Sequence, residues 1–242
     1  DRVYIYIADV DFTITSDGDG MDASNIVQIE DGTFDITAGG GAANSQKTHE
    51  SDMPGGGMSQ NIERPDGESM PRMGEKPDGE NMPQDTTTDE SGTSTKGIKA
   101  GGGMYLNGGT YQIDSADDSI HSNANITIAD GTYTLATGDD GVHADDALTV
   151  NGGTITVTES YEGLEGLTVT INDGTIDITA SDDGINTAGE KMELNGGYIH
   201  ILAGGDGVDS NGDLTINGGE IYIDGPSDNG NSAIDYGDRS SA

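Results

Sequence analysis

Acidic residues, mostly in pairs, recur at a nearly constant spacing between residues 117 and 206. The recurring steps are Asp117-Asp118, Asp139-Asp140, Tyr161-Glu162, Asp182-Asp183 and Gly205-Asp206. Carboxylate, amide and backbone oxygens suit the flexible shell of about six to eight ligands around Ca²⁺ better than the strict octahedron of Mg²⁺. The residue types and the spacing therefore indicate cation binding, on condition that the fold brings successive steps together.

The elements that must position these residues repeat with the same period. Glycines before successive predicted strands are Gly109, Gly131, Gly153, Gly174, Gly197 and Gly219, with gaps of 22, 22, 21, 23 and 22 residues. After Gly153, Ile155 and Val157 alternate with Thr156, as in a strand that is buried on one face. A period of about 22 residues without helical spacing predicts an all-β solenoid.

A third, shorter strand follows each acidic step. Its first apolar residue forms one column, which is Ile98, Ile120, Val142, Leu164, Ile185, Val208 and Ile234. Asparagines two residues before the repeating glycine form another column, at Asn107, Asn151, Asn172, Asn195 and Asn217. Three short strands and three turns per coil describe a parallel β-helix, in which we expect the asparagines to stack about 4.8 Å apart.

The chain is predicted to be a single β-helix domain over residues 1–242. Residues 1–37 look like two earlier coils, because Phe12 and Ile14 match Phe34 and Ile36. Residues 40–95 interrupt the repeat with a Met/Pro/Gly-rich, low-complexity insertion that contains five of the six prolines and five of the eight methionines. Methionines are soft ligands that suit copper, but a low-complexity loop accounts for the same composition.

Composition excludes several classes of partner. A net charge of −36, from 45 acidic and 9 basic residues, argues against nucleic acid and anionic membranes. The longest apolar run, from Val3 to Ala8, is too short to span a bilayer, and the absence of cysteine excludes disulfides and thiolate metal sites. We expect a monomer that continues past Ala242 or covers its last coil with its tail, because an open strand edge invites aggregation.

Stacking places carboxylates from adjacent coils about 5 Å apart, where two unit charges repel by about 3 kcal/mol at an effective dielectric constant near 20. We hypothesise that Ca²⁺ bridges the coils. The candidate ligands are Asp117, Asp118, Asp139, Asp140, Glu162, Glu165, Asp182, Asp183, Asn186 and Asp206. A solvated acidic rim is the alternative. His121 and His143 share one column and with Asp140 or Asp145 offer a zinc site, although exposed stacked histidines would look the same in sequence.

An ordered series of motifs resembles the clostridial family of secreted carbohydrate-binding β-helix proteins, which are similar in fold to pectate lyases. The motifs are Asp139-Asp140-Gly141-Val142-His143-Ala144-Asp145, Tyr161-Glu162-Gly163-Leu164-Glu165-Gly166, Ser181-Asp182-Asp183-Gly184-Ile185-Asn186, and Gly225-Pro226 with Ala233-Ile234-Asp235-Tyr236. The resemblance implies a right-handed parallel β-helix that is extracellular or attached to the cell surface. It also implies several calcium ions and binding of polygalacturonate (pectin) or cellulose from plant cell walls, without established catalysis.

Binding, catalysis and a structural role make different demands on these residues. A pectate lyase needs a base beside calcium, and Lys99 is the candidate, whereas repeated acids look like a ladder rather than one active site. The candidate sugar contacts are Tyr161, Tyr198, Tyr222, Lys99 and His143. We therefore predict a non-catalytic, calcium-dependent carbohydrate-binding protein, with a calcium-dependent lyase and a cell-surface adhesin or structural solenoid as alternatives.

Overall fold

The computed structural model describes residues 3–47, 94–226 and 230–237. These residues form a β-solenoid of about eight turns with about 22 residues per turn, and every strand pairs in parallel with the equivalent strand of the neighbouring coils. The predicted fold class, an all-β parallel solenoid, is confirmed. Within the described residues, no helix has the length and apolar character needed to cross a membrane.

One sheet contains the strand that follows each repeating glycine. Its eight strands are β2 (Asp11–Ser16), β5 (Thr33–Ala38), β8 (Thr110–Ser115), β11 (Thr132–Thr137), β13 (Thr154–Glu159), β15 (Thr175–Ala180), β17 (Tyr198–Ala203) and β20 (Glu220–Asp224). Each repeating glycine has a positive φ, for example 90° at Gly153, which a residue with a Cβ rarely adopts. A positive-φ glycine therefore precedes seven of the eight strands, from Gly32 before β5 to Gly219 before β20, whereas Val10 precedes β2.

The second sheet combines the other two strand positions of each coil. Its thirteen strands are β1 (Tyr4–Ile7), β3 (Met21–Ala23), β4 (Ile26–Ile29), β6 (Ile98–Ala100), β7 (Met104–Leu106), β9 (Ile120–Ser122), β10 (Ile126–Ile128), β12 (Val142–Val150), β14 (Leu164–Ile171), β16 (Ile185–Leu194), β18 (Val208–Ser210), β19 (Asp213–Ile216) and β21 (Ile234–Tyr236). In β12, β14 and β16, the third strand of one coil runs into the first strand of the next. Three strand positions per coil therefore give two sheets.

The core consists of apolar columns that run along the solenoid. The column that begins at Ile98 pairs residue for residue through Ile120, Val142 and Leu164, and all four are fully buried. Phe34, Tyr111 and Tyr133 form a buried aromatic column, with ring centroids 4.8 and 4.6 Å apart. These columns fix the register, because a slip of one residue would move every apolar side chain to the outer face.

The asparagine ladder is continuous only in the later coils. Asn172 donates to Asn151 at 2.8 Å, Asn195 donates to Asn172 at 2.8 Å, and Asn217 donates to Asn195 at 2.6 Å. Asn107 instead donates to Glu30 at 3.0 Å, because Ala129 occupies the position between Asn107 and Asn151. The predicted stacking is therefore confirmed from Asn151 to Asn217.

The described start of the predicted insertion packs against the coils. A short 3₁₀ helix spans Ala42–Asn44, and the backbone N–H of Ala42 donates to Asp114 at 2.7 Å. The Ser45 hydroxyl donates to the Gly138 carbonyl at 3.2 Å. The segment that ends at Lys47 therefore lies against the coils. Most of the predicted insertion, residues 48–93, lies outside the described residues.

Candidate cation and carbohydrate site

The acidic steps stack because a carboxylate of one coil accepts a backbone N–H of the next. Asp118 accepts from the N–H of Asp140 at 3.2 Å, and Asp140 accepts from the N–H of Glu162 at 3.2 Å. Asp183 accepts from the N–H of Asp206 at 2.6 Å. The parallel register thus converts a sequence repeat into a column of acidic side chains, which we call the acidic column.

Next to the acidic column runs a second column of polar residues from the third strand position. The strand register aligns Asp22, Lys99, His121, His143, Glu165, Asn186, Asp209 and Asp235. Acids, histidines and an amide from successive coils therefore face the same side of the solenoid. Four groups of three such residues have their ligand atoms within 4.8 Å of one another, and these are Asp118–His121–His143, Asp140–His143–Glu165, Asp117–Asp118–Asp139 and Asp183–Asp206–Asp209.

Two lysines neutralise the beginning of the acidic column. The ammonium group of Lys96 lies 2.8 Å from a carboxylate oxygen of Asp117 and 2.8 Å from one of Asp118. The ammonium group of Lys47 lies 2.8 Å from Asp117 and also contacts Asp139. Lys96 is 8% exposed and Asp118 is 1% exposed, so these are buried ion pairs.

The lysines set the protonation of this cluster. Burial would raise the pKa values of Asp117 and Asp118, and the charge of Asp118 would raise that of Asp117 further. Lys96 and Lys47 nevertheless hold the pKa of Asp117 below its usual range, and Lys96 and His121 hold that of Asp118 well below it. Burial raises the pKa of Asp139. The charges of Asp140 and Asp118 add to this rise, and Lys47 opposes it. Despite burial, the carboxylates raise the pKa values of both lysines.

Three of the predicted calcium ligands contact lysines. Ammonium groups supply positive charge between Asp117, Asp118 and Asp139, and the binding of Ca²⁺ by these residues stays a prediction. Sequence reasoning missed both lysines because they precede the first coil of the uninterrupted repeat. The only indication in the sequence was their positive charge, because Lys47 and Lys96 are two of nine basic residues in a chain with 45 acidic residues.

The next part of the acidic column has a histidine and an amide in place of lysines. Among the described residues, Asp140 and Glu165 each form an ion pair with His143 Nδ1, at 3.1 Å in both cases. The side-chain amide of Asn186 donates to both carboxylate oxygens of Glu162, at 3.1 and 3.0 Å. We call Asp140, Glu162, Glu165 and Asn186 the central acidic cluster.

Two carboxyl groups of the central acidic cluster, those of Glu162 and Glu165, have raised pKa values. Burial, followed by the charge of Asp140, raises the pKa of Glu165 to about 8, although His143 opposes the rise. Burial and the charges of Asp140 and Glu165 raise the pKa of Glu162 well above its usual value. Burial lowers the basicity of His143, but the Asp140 hydrogen bond and the surrounding carboxylates raise its pKa to about 10.

One atom in the central acidic cluster lacks a partner. Asn186 Oδ1 is buried and accepts no hydrogen bond within the described part of the chain, although the amide nitrogen of the same side chain is satisfied by Glu162. A buried acceptor without a donor costs about 1–3 kcal/mol. An amide oxygen beside two carboxylates is a donor set that fits Ca²⁺.

A third acidic group lies one to two coils further along. Ligand atoms of Asp183, Asp206 and Asp209 approach within 4.8 Å, and burial, followed by the Asp182 charge, raises the pKa of Asp183 to about 7 against the backbone hydrogen bond from Asp206. The predicted ligand Asp182 is not a member of this group. Asp209 is a member of this group that was omitted from the predicted ligands. Its position in the same column as His143 and Asn186 could have identified it.

The predicted sugar contacts fall into two places. Tyr198 and Tyr222 are 43% and 52% exposed on β17 and β20, with ring centroids 5.5 Å apart. Tyr161 is half-buried at an acidic turn, where its backbone N–H donates to the Asp139 carbonyl at 2.6 Å. The tyrosine pair therefore lies on the outer face of the eight-stranded sheet, whereas Tyr161 belongs with the acidic column.

Lys99 and His143 lie in the polar column beside the acidic column. The Lys99 ammonium group is 3.7 Å from Asp19 and 3.2 Å from the Ser94 hydroxyl, and its strand position pairs with that of His121. It is Lys96, not Lys99, that contacts Asp117 and Asp118. The candidate base for a lyase is therefore at least two coils away from the central acidic cluster and is paired with a different carboxylate.

A family model for carbohydrate-binding domain-containing proteins matches residues 1–141 and 139–242. The chain belongs to this family. The resemblance to carbohydrate-binding β-helix proteins is thereby confirmed, and the family indicates a polysaccharide partner. A search of curated proteins returned no match. Among solved structures, the chain is similar to the polysaccharide lyase-like protein from C. thermocellum, in a gadolinium derivative. The two are 19% identical, with a TM-score of 0.43 over 99% of this chain and 91% of that one.

Proposed function

We propose that this member of the carbohydrate-binding family is a non-catalytic protein that binds acidic plant cell-wall polysaccharide, polygalacturonate, through Ca²⁺. We further propose that it acts outside the cell or on the cell surface. The observation that carries the proposal is the unsatisfied, buried oxygen of Asn186 beside Glu162 and Glu165. Asp140, Glu162, Glu165 and Asn186 would hold the ion, and the ion would supply positive charge for a bound carboxylate.

Electrostatics favour a shared cation over direct contact with the sugar. A chain with a net charge of −36 repels a polyanion, and lysine pairs neutralise only the beginning of the acidic column. Ca²⁺ accepts oxygen ligands from several sources at once, so protein and galacturonate carboxylates can complete one coordination shell. This proposal accounts for buried acids with raised pKa values, which are costly unless a cation joins them.

The test is retention of the full chain on beads that carry covalently attached polygalacturonate. We expect retention with Ca²⁺, release by a chelator and renewed retention when Ca²⁺ is restored. A Glu162→Gln/Glu165→Gln variant should lose retention. A matched control is Asp213→Asn/Glu220→Asn, which makes the same charge change at exposed residues and should be retained. Retention that ignores Ca²⁺, or that survives the Glu162/Glu165 changes, would refute the proposal.

The same incubations separate the alternatives. Unsaturated uronide detected by ultraviolet absorbance, and lost in Lys99→Ala, would identify a lyase instead of a binding protein. Calcium-independent retention on cellulose that is lost in Tyr198→Ala would identify a neutral glucan as the ligand, because exposed rings stack on sugar faces. Failure to bind any of these polysaccharides would leave the adhesin or structural solenoid.

A further inference from the structure

The histidine pair at the start of the polar column has an unusual arrangement of its ring nitrogens. His121 is 9% exposed, and its Nε2 lies 3.2 Å from the side-chain oxygen of Asn123. Because an amide oxygen only accepts hydrogen bonds, Nε2 is the donor in this contact. The other ring nitrogen, Nδ1, is buried and makes no hydrogen bond within the described residues.

Nδ1 of His121 faces a carboxylate. It lies 2.8 Å from Oδ2 of Asp118. The ring of His143 is next to that of His121, with ring centroids 5.0 Å apart and the planes at 64°. Ligand atoms of Asp118, His121 and His143 all fall within 4.8 Å of one another. An ion about 2 Å from each ligand atom would keep neighbouring ligand atoms about 3.3 Å apart, so small side-chain rotations suffice to bind it.

We propose that Asp118, His121 and His143 form a site for a divalent transition-metal ion of the zinc type. It adjoins the proposed calcium ligands, because His143 also contacts Asp140 and Glu165. Imidazole nitrogen suits Zn²⁺, Cu²⁺ and Ni²⁺, whereas Ca²⁺ takes oxygen ligands. The surrounding contacts are those of a ligand shell. Asn123 orients His121, and Lys96 donates to the Asp118 carboxylate at 2.8 Å, as hydrogen-bond partners of metal ligands usually do.

The chain contains a matched control for this site. His200 also lies between two carboxylates, with Nδ1 3.0 Å from Asp177 and Nε2 3.2 Å from Asp224. Its side chain is 33% exposed, against 11% for that of His121. It has no second histidine beside it among the described residues, and both of its nitrogens have partners. A general affinity of histidine and acid for metal would therefore appear at His200 as well as at His121.

The experiment is a titration of the metal-free full chain with Co²⁺, followed by Zn²⁺ competition, in excess Ca²⁺ that occupies the oxygen sites. We expect one tight site with the visible absorption of nitrogen-ligated cobalt. Its affinity should fall about a hundredfold or more in His121→Gln and in His143→Gln, since even outer partners of a metal ligand are worth about ten- to a hundredfold. His200→Gln should bind as the wild type does.

A second variant keeps the test decisive if His121→Gln folds poorly. Asn123→Ala leaves all three ligands but frees the ring of His121, and its zinc affinity should fall by about tenfold. Wild-type protein that binds no zinc, or His121→Gln and Asn123→Ala variants that bind it normally, would overturn the proposal. Retention of His121→Gln on polygalacturonate with Ca²⁺ shows that this site and the proposed carbohydrate site fail or succeed independently.

Discussion

The beginning and the centre of the acidic column answer the same electrostatic problem in different ways. Asp117 and Asp118 are buried against Lys96, and Lys47 joins them, so this part carries its own cations. Glu162 and Glu165 have an amide and a histidine as their described partners, and their pKa values are raised instead of lowered. One repeat unit therefore yields an internally neutralised region and a region that favours an external cation.

The comparison shows that repetition alone does not define a metal site. Both regions have acids in the same register, but a lysine from a non-repeating segment fills the first with positive charge. Buried carboxylates keep their charge only where a positive group is close, and otherwise hold protons. Under the proposed function, the groups that neighbouring segments contribute would therefore decide which acidic steps are available to Ca²⁺.

The largest expected effect tests the lysine-neutralised region. Lys96→Met should lower the free energy of unfolding by about 3–5 kcal/mol, because it leaves Asp117 and Asp118 buried without their main partner. Urea unfolding of the variant against wild type measures the loss. Lys99→Met removes an equal charge from a more exposed pair and should cost less than about 1 kcal/mol. Equal losses in the two variants would mean that burial of the Lys96 pairs does not matter.

Calcium removal tests the central acidic cluster. A free Ca²⁺ concentration about a hundred times the dissociation constant of the site should add about 2.7 kcal/mol to the free energy of unfolding. A chelator should remove this added stability. The Glu162→Gln/Glu165→Gln variant should lose this response. Without Ca²⁺ it should be more stable than the wild type near neutral pH, because glutamine is neutral without having to take up a proton on folding. Thermal unfolding with and without Ca²⁺ checks both statements. An unchanged calcium response in the variant would place the ion elsewhere.

The pH dependence should have opposite signs in the two regions. Folded Glu165 and Asp183 have pKa values of about 8 and about 7, while the ordinary pKa values of these residue types are 4.5 and 3.8. Between these limits the folded chain binds more protons, so without Ca²⁺ the free energy of unfolding should fall by about 1.4 kcal/mol per pH unit for each extra proton. Unfolding in calcium-free buffers from pH 5 to 8 measures this slope.

Two controls accompany the pH series. Saturating Ca²⁺ should flatten the slope, because the ion replaces the protons. In contrast, Asp117 and Asp118 have lowered pKa values, so their contribution is present above their ordinary pKa of about 4 and is lost as the pH falls below it. Stability that rises from pH 5 to 8 without Ca²⁺ would contradict the raised pKa values of the central acidic cluster.

The smallest expected effect concerns the asparagine ladder on another turn of the coil. Asn195→Ala removes one donated and one accepted side-chain bond and should lower the free energy of unfolding by about 1 kcal/mol. Asn107→Ala removes a single bond to Glu30, outside the ladder, and should cost less. Urea unfolding of both variants decides whether the continuous ladder adds stability in the coils that follow Asn151.

The sequence by itself predicted every feature that depends on register. Alternating apolar residues, the repeating glycines and the third-strand column from Ile98 onward define the coils, because each parallel strand copies the position of the one before it. The buried Phe34, Tyr111 and Tyr133 column and the stacking of Asp118, Asp140 and Glu162 follow from the same rule. A period of about 22 residues is sufficient for this part.

Only the tertiary structure decided which acids have a built-in cation. Lys47 reaches Asp139 across 92 residues of sequence, and its position depends on the path that the chain takes after the Ala42–Asn44 helix. No repeat specifies that path. Local geometry likewise decides where strands merge into β12, β14 and β16. It also decides that Asn186 Oδ1 and His121 Nδ1 are buried without a hydrogen-bond partner among the described residues. Periodicity determines which residues are neighbours, whereas charge and hydrogen-bond partners from outside the period determine their chemistry.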